Sequence, residues 1–99
     1  MKKPVIVRAE AEDDLAEAYQ WYEQQVRDLG GEFLLCVDAV MASIERNPQL
    51  YPVVHKDIIR RALMRRFPYG VFFVEGDRSV SVIAVAHAKR NPRVWQDRV

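Results

Sequence analysis

The hydrophobic pattern of the chain changes period near its middle, and this change limits the folds that the sequence can adopt. In the first half, apolar residues recur every three or four positions over residues 11–29 and 33–44, the spacing of amphipathic helices. Gly30 and Gly31 separate the two stretches, and we expect a left-handed glycine to end the first helix there. Two helices joined by so short a break predict an antiparallel helical hairpin.

The second half of the chain has the pattern of β-strands, with runs of β-branched and aromatic residues. Asn47-Pro48 ends the second helix, because proline disfavours helical geometry in the residue before it. Predicted strands span about 3–8, 58–64, 71–74 and 80–88, with turns at 67–70 and 75–78 and a tail or single helical turn at 93–98. The order β-α-α-β-β-β predicts an α+β fold with an antiparallel-rich sheet, packed on one face by the helical hairpin.

Length and composition predict one domain, residues 1–99, with 49% hydrophobic and 29% charged residues. The longest run without a charged residue, 79–88, is far shorter than the ~20 residues of a membrane span, so we expect a cytoplasmic protein. Cys36 is the only cysteine, and His55 and His87 have no second ligand at helical or turn spacing. No glycine-rich phosphate loop or hydrolase triad is visible, so we expect no metal and no cofactor.

The net charge of +1 conceals an asymmetry between the two halves. Residues 1–50 carry five basic and ten acidic side chains, whereas residues 51–99 carry ten basic and four acidic ones. Such a division indicates either an anionic partner for one face of the molecule or attraction between the two halves within the fold. The sequence leaves both interpretations open.

Four arginines near the first strand of the second half are the first candidate site: Arg60, Arg61, Arg65 and Arg66. Side chains alternate along a strand, so Arg60 and Arg66 are predicted on one face and the other two on the opposite face. Guanidinium groups suit phosphates or carboxylates, and the helices can cover only one face of the sheet. The alternative is a solvated edge strand whose charges prevent aggregation.

A second candidate site follows the longest strand: His87, Lys89, Arg90, Arg93 and Trp95. An imidazole, several cations and an aromatic ring at one strand end are typical of a phosphate-contacting or nucleic-acid-contacting surface. His87 is a candidate general base, or alternatively a strand-end residue bonded to the backbone. Trp95 is a candidate stacking platform, or alternatively a ring that closes the core.

Trp21 lies about 100° from the centre of the apolar stripe of the first helix. We expect it to pack in the seam between the two helices. The alternative is a large apolar anchor for a partner protein.

An ordered series of short motifs runs through nearly the whole chain. They are Asp14-Leu15, Trp21-Tyr22-Glu23, Gly31 with Phe33, Asn47-Pro48 with Tyr51-Pro52, Arg61-Ala62-Leu63, Phe67-Pro68-Tyr69, Ala84-Val85-Ala86-His87, and Arg90-Asn91-Pro92 with Trp95. The series resembles the RelE/ParE superfamily of type II toxin–antitoxin toxins. This resemblance implies the RelE-like fold and a cognate antitoxin whose flexible C-terminal segment wraps and silences the toxin in a hetero-oligomer.

The superfamily implies two alternative targets. RelE-like toxins cut messenger RNA on the ribosome, whereas ParE-like toxins poison DNA gyrase and belong to plasmid-stabilising modules. RelE-like toxins have several lysines before the second strand and a tyrosine near the C-terminus, but this chain has only Lys56 there and no tyrosine after Tyr69. The sequence therefore resembles the ParE-like branch more closely; a ribosome-dependent ribonuclease and an inactive antitoxin-binding module are the alternatives.

The resemblance also implies two sets of contact residues. The predicted target-binding residues are Arg61, Arg65, His87, Arg90, Trp95 and Arg98. The predicted antitoxin-binding residues, for an acidic and partly disordered partner, are Trp21, Tyr22, Arg60 and Arg66. No catalytic residue is expected for a gyrase poison; for a ribonuclease, the candidates are His87, Arg65 and Arg90.

Overall fold

The computed structural model describes residues 3–99 and contains a five-stranded sheet packed against two long helices. The strands are β1 Val5–Val7, β2 Val53–His55, β3 Ile59–Leu63, β4 Tyr69–Glu75 and β5 Val80–His87. The helices are α1 Ala9–Gln25, α2 Leu29–Arg46 and α3 Arg93–Gln96, with a 3-10 turn at Pro48–Leu50. The sheet order is β1-β5-β4-β3-β2, antiparallel except for the β1–β5 pair. The predicted α+β class is confirmed, although the sequence pattern missed β2.

The connection between the two long helices differs from the prediction. Helix α1 ends at Gln25, and the left-handed residue is Asp28, with φ 70°, whereas both glycines lie inside α2. Gly30 is required for another reason: a Cβ there would lie 2.6 Å from the backbone oxygen of Tyr19. The carboxylate of Glu23 accepts hydrogen bonds from the backbone N–H groups of Asp28 and Gly30, so α1 caps the first turn of α2.

The main core fills the space between the helical hairpin and one face of the sheet. Phe33, Val37 and Ile44 of α2 pack there against Val71 and Phe73 of β4, and all five side chains are buried. This arrangement follows from the predicted apolar stripe of α2, since residues three and four positions apart share one face of a helix.

A smaller second core covers the opposite sheet face, which the sequence analysis left exposed. Phe72, Ile83 and Ala84 are buried there beneath Trp95 of α3. Ile83 and Ala84 share a face because β5 has a β-bulge: Phe73 pairs with Val82, whereas Phe72 pairs with Ala84. The bulge therefore supplies an extra apolar side chain to the second core.

The segment between β3 and β4 also differs from the prediction. Strand β3 ends at Leu63, so Arg65 and Arg66 lie in a loop and do not follow the alternation of a strand. The backbone N–H of Met64 donates to the carbonyl of Tyr69, and this bond closes the loop. Tyr69 therefore begins β4 rather than standing in a turn.

Candidate functional site

A small cavity lies at the C-terminal end of β5, where β3, β4 and the segment leading to α3 meet. It encloses about 100 Å3, and Arg61, Gly70, His87, Arg90 and Trp95 contribute to its lining. We call it the Arg61 cavity. It brings together four of the six predicted target-binding residues, although they are distant in sequence.

The two other predicted target-binding residues lie elsewhere. Arg65 lines a groove beside α2. Arg98 binds the carboxylate of Asp14 in a bidentate ion pair, with N–O distances of 2.6 and 3.2 Å, and also donates to the carbonyl of Ile83. The hydrogen bonds that Arg98 donates to the Asp14 carboxylate raise the pKa of Arg98 above its ordinary value. Arg98 is thus held inside the fold and is not free to face a target.

The Asp14–Arg98 pair replaces a strand partner that β5 loses. Strand β1 accompanies β5 only as far as Val82, after which the chain turns into α1. Beyond that point, the backbone N–H of Val85 donates to the Asp14 carboxylate at 3.0 Å, and the Arg98 guanidinium donates to the carbonyl of Ile83. The pair therefore satisfies backbone groups that the bulged strand leaves unpaired.

Trp95 closes the second core. Its side chain is only 7% exposed, and its ring stacks on Phe72 with a centroid distance of 4.2 Å and an interplanar angle of 17°. The ring of His55 meets it edge-on at 6.0 Å. A buried tryptophan stacked in this way offers a partner little surface, so the structure favours the core interpretation of Trp95 over a stacking platform.

A hydrogen bond from the backbone determines which nitrogen of the neutral His87 ring carries the hydrogen. The backbone N–H of Lys89 donates to His87 Nδ1 at 3.0 Å, so this nitrogen is the acceptor and Nε2 carries the hydrogen. The ring could accept a proton only at Nδ1, after this bond is broken. The geometry therefore agrees with the interpretation of His87 as a strand-end residue bonded to the backbone, and it disfavours a general base.

Tyr69 is a neighbour of His87 that the sequence analysis did not select. The two residues are paired across β4 and β5, and their ring centroids lie 5.2 Å apart. Burial raises the pKa of the Tyr69 phenol, and the nearby charge of Arg90 lowers it by a smaller amount. The phenol consequently stays protonated at neutral pH and does not supply a base. Only the β-bulge places Tyr69 opposite His87, so no pattern in the sequence could have found the pair.

Arg61 is half-buried, and its side chain runs over Gly70. A Cβ at position 70 would lie 3.3 Å from Arg61 Cγ, so glycine leaves the room that the arginine occupies. Arg61 Nε is buried and has no hydrogen-bond partner within residues 3–99. This orphan donor distinguishes Arg61 from the other arginines of the cavity region.

The predicted antitoxin-binding residues divide into two exposed and two internal side chains. Tyr22 is buried between Phe33 and Phe67, and burial raises its pKa, so the prediction that it faces a partner does not fit its position. Arg60 donates to the carbonyl of Tyr51 at 2.7 Å and lies against the fold.

The exposed pair consists of Trp21 and Arg66. The prediction that Trp21 lies in the helix seam is wrong: its side chain is 55% exposed and lines a cavity of about 300 Å3 beside Tyr69 and Arg90. Arg66 donates to Glu32 at 2.6 Å across the surface, and its guanidinium lies over the ring of Phe67. Both side chains are therefore accessible to a partner.

A larger groove, about 470 Å3, lies between α2 and residues 63–66 and was missed by the sequence analysis. Val40 and Met64 contribute apolar lining, and Arg65 and Arg66 contribute positive charge. Within residues 3–99, no cluster of His, Cys, Asp or Glu is arranged to hold a metal ion, and no helix combines the length and the hydropathy of a membrane span.

The class of this protein follows from the family model that its sequence matches. The family model for the ParE toxin of the type II toxin–antitoxin system parDE matches residues 5–92, and the chain therefore belongs to this family. It is a ParE-type toxin of the RelE/ParE superfamily, as the sequence motifs predicted.

Among particular relatives, Toxin ParE2 from two strains of Mycobacterium tuberculosis is 31% identical over 93 residues, which cover 93% of this chain and 88% of the relative. A solved structure titled "Chromosomal ParDE TA system from P. aeruginosa" has the same fold, with a TM-score of 0.79 and 10% identity. That match covers 87% of this chain and 96% of the other. ParE toxins pair with a cognate antitoxin in a ParDE complex.

Proposed function

We propose that this ParE-type toxin inhibits growth by binding and poisoning DNA gyrase, without cutting a nucleic acid itself. Membership of the ParE family is the observation that carries the proposal. The candidate site supports it, because His87 Nδ1 is occupied by a backbone N–H and the Tyr69 phenol stays protonated. Neither ring is arranged to take a proton from a ribose hydroxyl, as RNA cleavage requires.

The direct test is a cleavage assay with purified toxin, DNA gyrase, supercoiled plasmid and ATP. A gyrase poison should cause linear, protein-linked DNA to accumulate with increasing toxin concentration. Cleavage of messenger RNA on ribosomes, with no effect on gyrase, would instead establish the ribonuclease alternative. Normal growth of cells expressing the chain alone would indicate an inactive antitoxin-binding module.

Arg90→Ala is expected to reduce gyrase-dependent DNA cleavage by roughly 10-fold or more, because an exposed arginine at the centre of an interface is a frequent hot spot. Arg90 lines both the Arg61 cavity and the cavity beside Trp21, so it lies between these two cavities. Arg78→Ala is the matched control, since Arg78 is also exposed but lies in the turn at the other end of β4 and β5. Equal cleavage with the two variants would contradict this assignment.

We further propose that the cognate antitoxin neutralises the toxin by laying an extended, acidic segment along the groove beside α2. Charge complementarity supports an acidic occupant, because Arg65 and Arg66 line this groove. An open strand edge supports an extended occupant, because β2 pairs with β3 only at Ile59 and Arg60. Farther along, the side chain of Leu63 is 58% exposed, and no strand lies beside it within the described part of the chain.

Leu63→Pro tests whether the antitoxin pairs with this edge. The N–H of Arg61 donates to the carbonyl of Pro52, away from β4, whereas the N–H of Met64 donates to the carbonyl of Tyr69 at the start of β4. Because successive N–H groups of a strand alternate in direction, the Leu63 N–H points away from β4, toward the open edge. Proline removes that donor without breaking the sheet. We expect antitoxin binding, measured by calorimetry, to weaken roughly 5- to 10-fold. Leu63→Val retains the N–H and is the control; equal weakening in both variants would exclude backbone pairing.

A further inference from the structure

A second apolar groove runs between α1 and α2, on the side of the helical hairpin that faces solvent. It encloses about 280 Å3 and is lined by Leu15, Ala16, Tyr19, Gln20 and Leu34. We call it the hairpin groove. Leu15 and Leu34 are half-buried and also pack against the main core, which holds the floor of the groove in place. The other three side chains are exposed, so the groove is open to a partner.

The hairpin groove and the larger groove beside residues 63–66 lie on opposite sides of α2. Leu34 lines the first and Ser43 lines the second. Nine residues separate these two positions, which places them about 180° apart around the helix. An occupant of one groove therefore leaves the other free.

The two helices that form the hairpin groove are strongly acidic. Residues 9–46 contain ten acidic and two basic side chains, a net charge of −8. Within residues 3–99, only Asp14 and Glu32 of these acids form ion pairs. The two basic residues lie at helix ends, since Arg27 follows α1 and Arg46 is the last residue of α2. Most of the negative charge on this surface is therefore not neutralised by the fold.

Two of the unpaired carboxylates lie beside the hairpin groove. Glu12 precedes Leu15 and Ala16 by three and four positions on α1, and Asp38 follows Leu34 by four positions on α2. Residues at these spacings share one face of a helix. Both carboxylates are exposed, and Leu35, the neighbour of Leu34, has a side chain that is 69% exposed. A ligand that matches this surface needs an apolar stripe with positive charge beside it.

We propose that the hairpin groove binds a basic amphipathic helix of a partner protein. Its apolar side chains insert between α1 and α2, and its lysine or arginine side chains lie beside Glu12 and Asp38. The groove between two packed helices accepts the side-chain ridge of a third, and an amphipathic helix is the usual occupant of such a groove. The surface from residue 12 to residue 20 is about 12 Å long, which corresponds to roughly two turns of the bound helix.

Charge disfavours the other occupants of the hairpin groove. A second copy of this chain would bring an equally acidic hairpin, with its own net charge of −8, against the first. Nucleic acid and an acidic antitoxin segment would be repelled in the same way. The inference goes beyond the proposed function and does not depend on gyrase, so a chain that fails to poison gyrase is still expected to bind a basic helix here.

The test is an NMR titration of the isotope-labelled full chain with a leucine–lysine peptide of about 14 residues, four helical turns, whose leucines form one stripe. The amide signals of residues 12–20 and 34–38 should shift along a saturating curve. A peptide of the same composition in scrambled order should bind roughly 10-fold more weakly, because its leucines and lysines do not separate onto two faces. A leucine–glutamate peptide with the same stripe should bind more weakly than the leucine–lysine peptide, because its charge has the sign of the hairpin.

Substitutions on α1 locate the binding to the hairpin groove. Ala16→Lys places a long cationic side chain in the groove and should weaken binding of the leucine–lysine peptide by roughly 10-fold or more. Its Tm should change little, because Ala16 is exposed and lysine is a good helix former. Glu12→Gln should weaken binding by roughly 2- to 5-fold, the effect of one exposed ion pair. Glu10→Gln is the matched control, since Glu10 is also exposed but lies about 160° around α1 from Glu12.

Three outcomes would overturn the proposal. Binding of the scrambled peptide as tight as that of the amphipathic one, or a Glu12→Gln effect no larger than that of Glu10→Gln, would show attraction to overall charge without use of the groove. Shifts confined to the larger groove beside residues 63–66 would place the peptide elsewhere. Dimerisation of the unmodified chain in sedimentation experiments, abolished by Ala16→Lys, would assign the hairpin groove to a second copy of the chain.

Discussion

Trp95→Ala is expected to lower the free energy of unfolding by about 3–5 kcal/mol, the usual cost of truncating a large buried aromatic residue. Trp95 stacks on Phe72 and is the only side chain of α3 that is buried. Its removal would leave the second core open to water. Since domains of this kind have a total stability of about 5–15 kcal/mol, a large fraction of the variant should be unfolded under mild heating. Loss of toxicity would then report folding rather than a lost contact with the target.

Trp21→Ala provides the matched control for that experiment. Trp21 is 55% exposed and makes an edge-on contact with Tyr22, with centroids 5.0 Å apart. Its truncation should cost no more than about 1 kcal/mol. Urea unfolding followed by circular dichroism measures both variants on one scale. A Trp95→Ala variant as stable as Trp21→Ala would contradict the view that α3 closes a core.

Gly30→Ala is expected to destabilise the chain by about 1–3 kcal/mol or more, because the added methyl group meets backbone rather than a flexible side chain. The new Cβ would lie 2.6 Å from the Tyr19 carbonyl oxygen and 2.9 Å from Tyr19 Cδ1. Relief requires that the two long helices move apart. Such a movement would also disturb the hydrogen bond from the Gly30 N–H to Glu23.

Gly31→Ala is the neighbouring substitution with the opposite expected sign. A Cβ at position 31 meets no atom within 4 Å, and alanine is a better helix former than glycine. The free energy of unfolding should therefore rise, by up to about 1 kcal/mol, in the same denaturation experiment. Similar destabilisation by both substitutions would show that the conformation of the helix start, and not the close approach of the helices, requires glycine.

The charge asymmetry of the sequence has two consequences in the structure. Ion pairs Asp14–Arg98 and Glu32–Arg66 join the acidic first half to the basic second half, so attraction within the fold accounts for part of the asymmetry. Arg61 forms no such pair within the described residues, although it lies in the basic half.

The sequence motifs identified the family of the protein more successfully than they identified the residues of the candidate site. The family followed from an ordered series of residues spread over the chain and the fold class from the periodicity of the apolar residues, and both are confirmed. The contact residues rested on strand alternation extended past Leu63 and on exposure assumed for aromatic residues. Tyr22 and Trp95 proved to be buried, because whether an aromatic side chain faces water depends on what packs over it.

The types of element were determined by the sequence itself, because helical and strand periodicities are local properties of ten or so neighbouring residues. The two long helices, the strands β3 to β5 and the apolar stripe of α2 all follow from them. Tertiary structure alone decided the features that position the site. The bulge at Ile83 sets Tyr69 opposite His87, and the turn of the chain after β1 leaves backbone groups that Asp14 and Arg98 satisfy. These depend on pairing between distant segments, which no local pattern of side chains records.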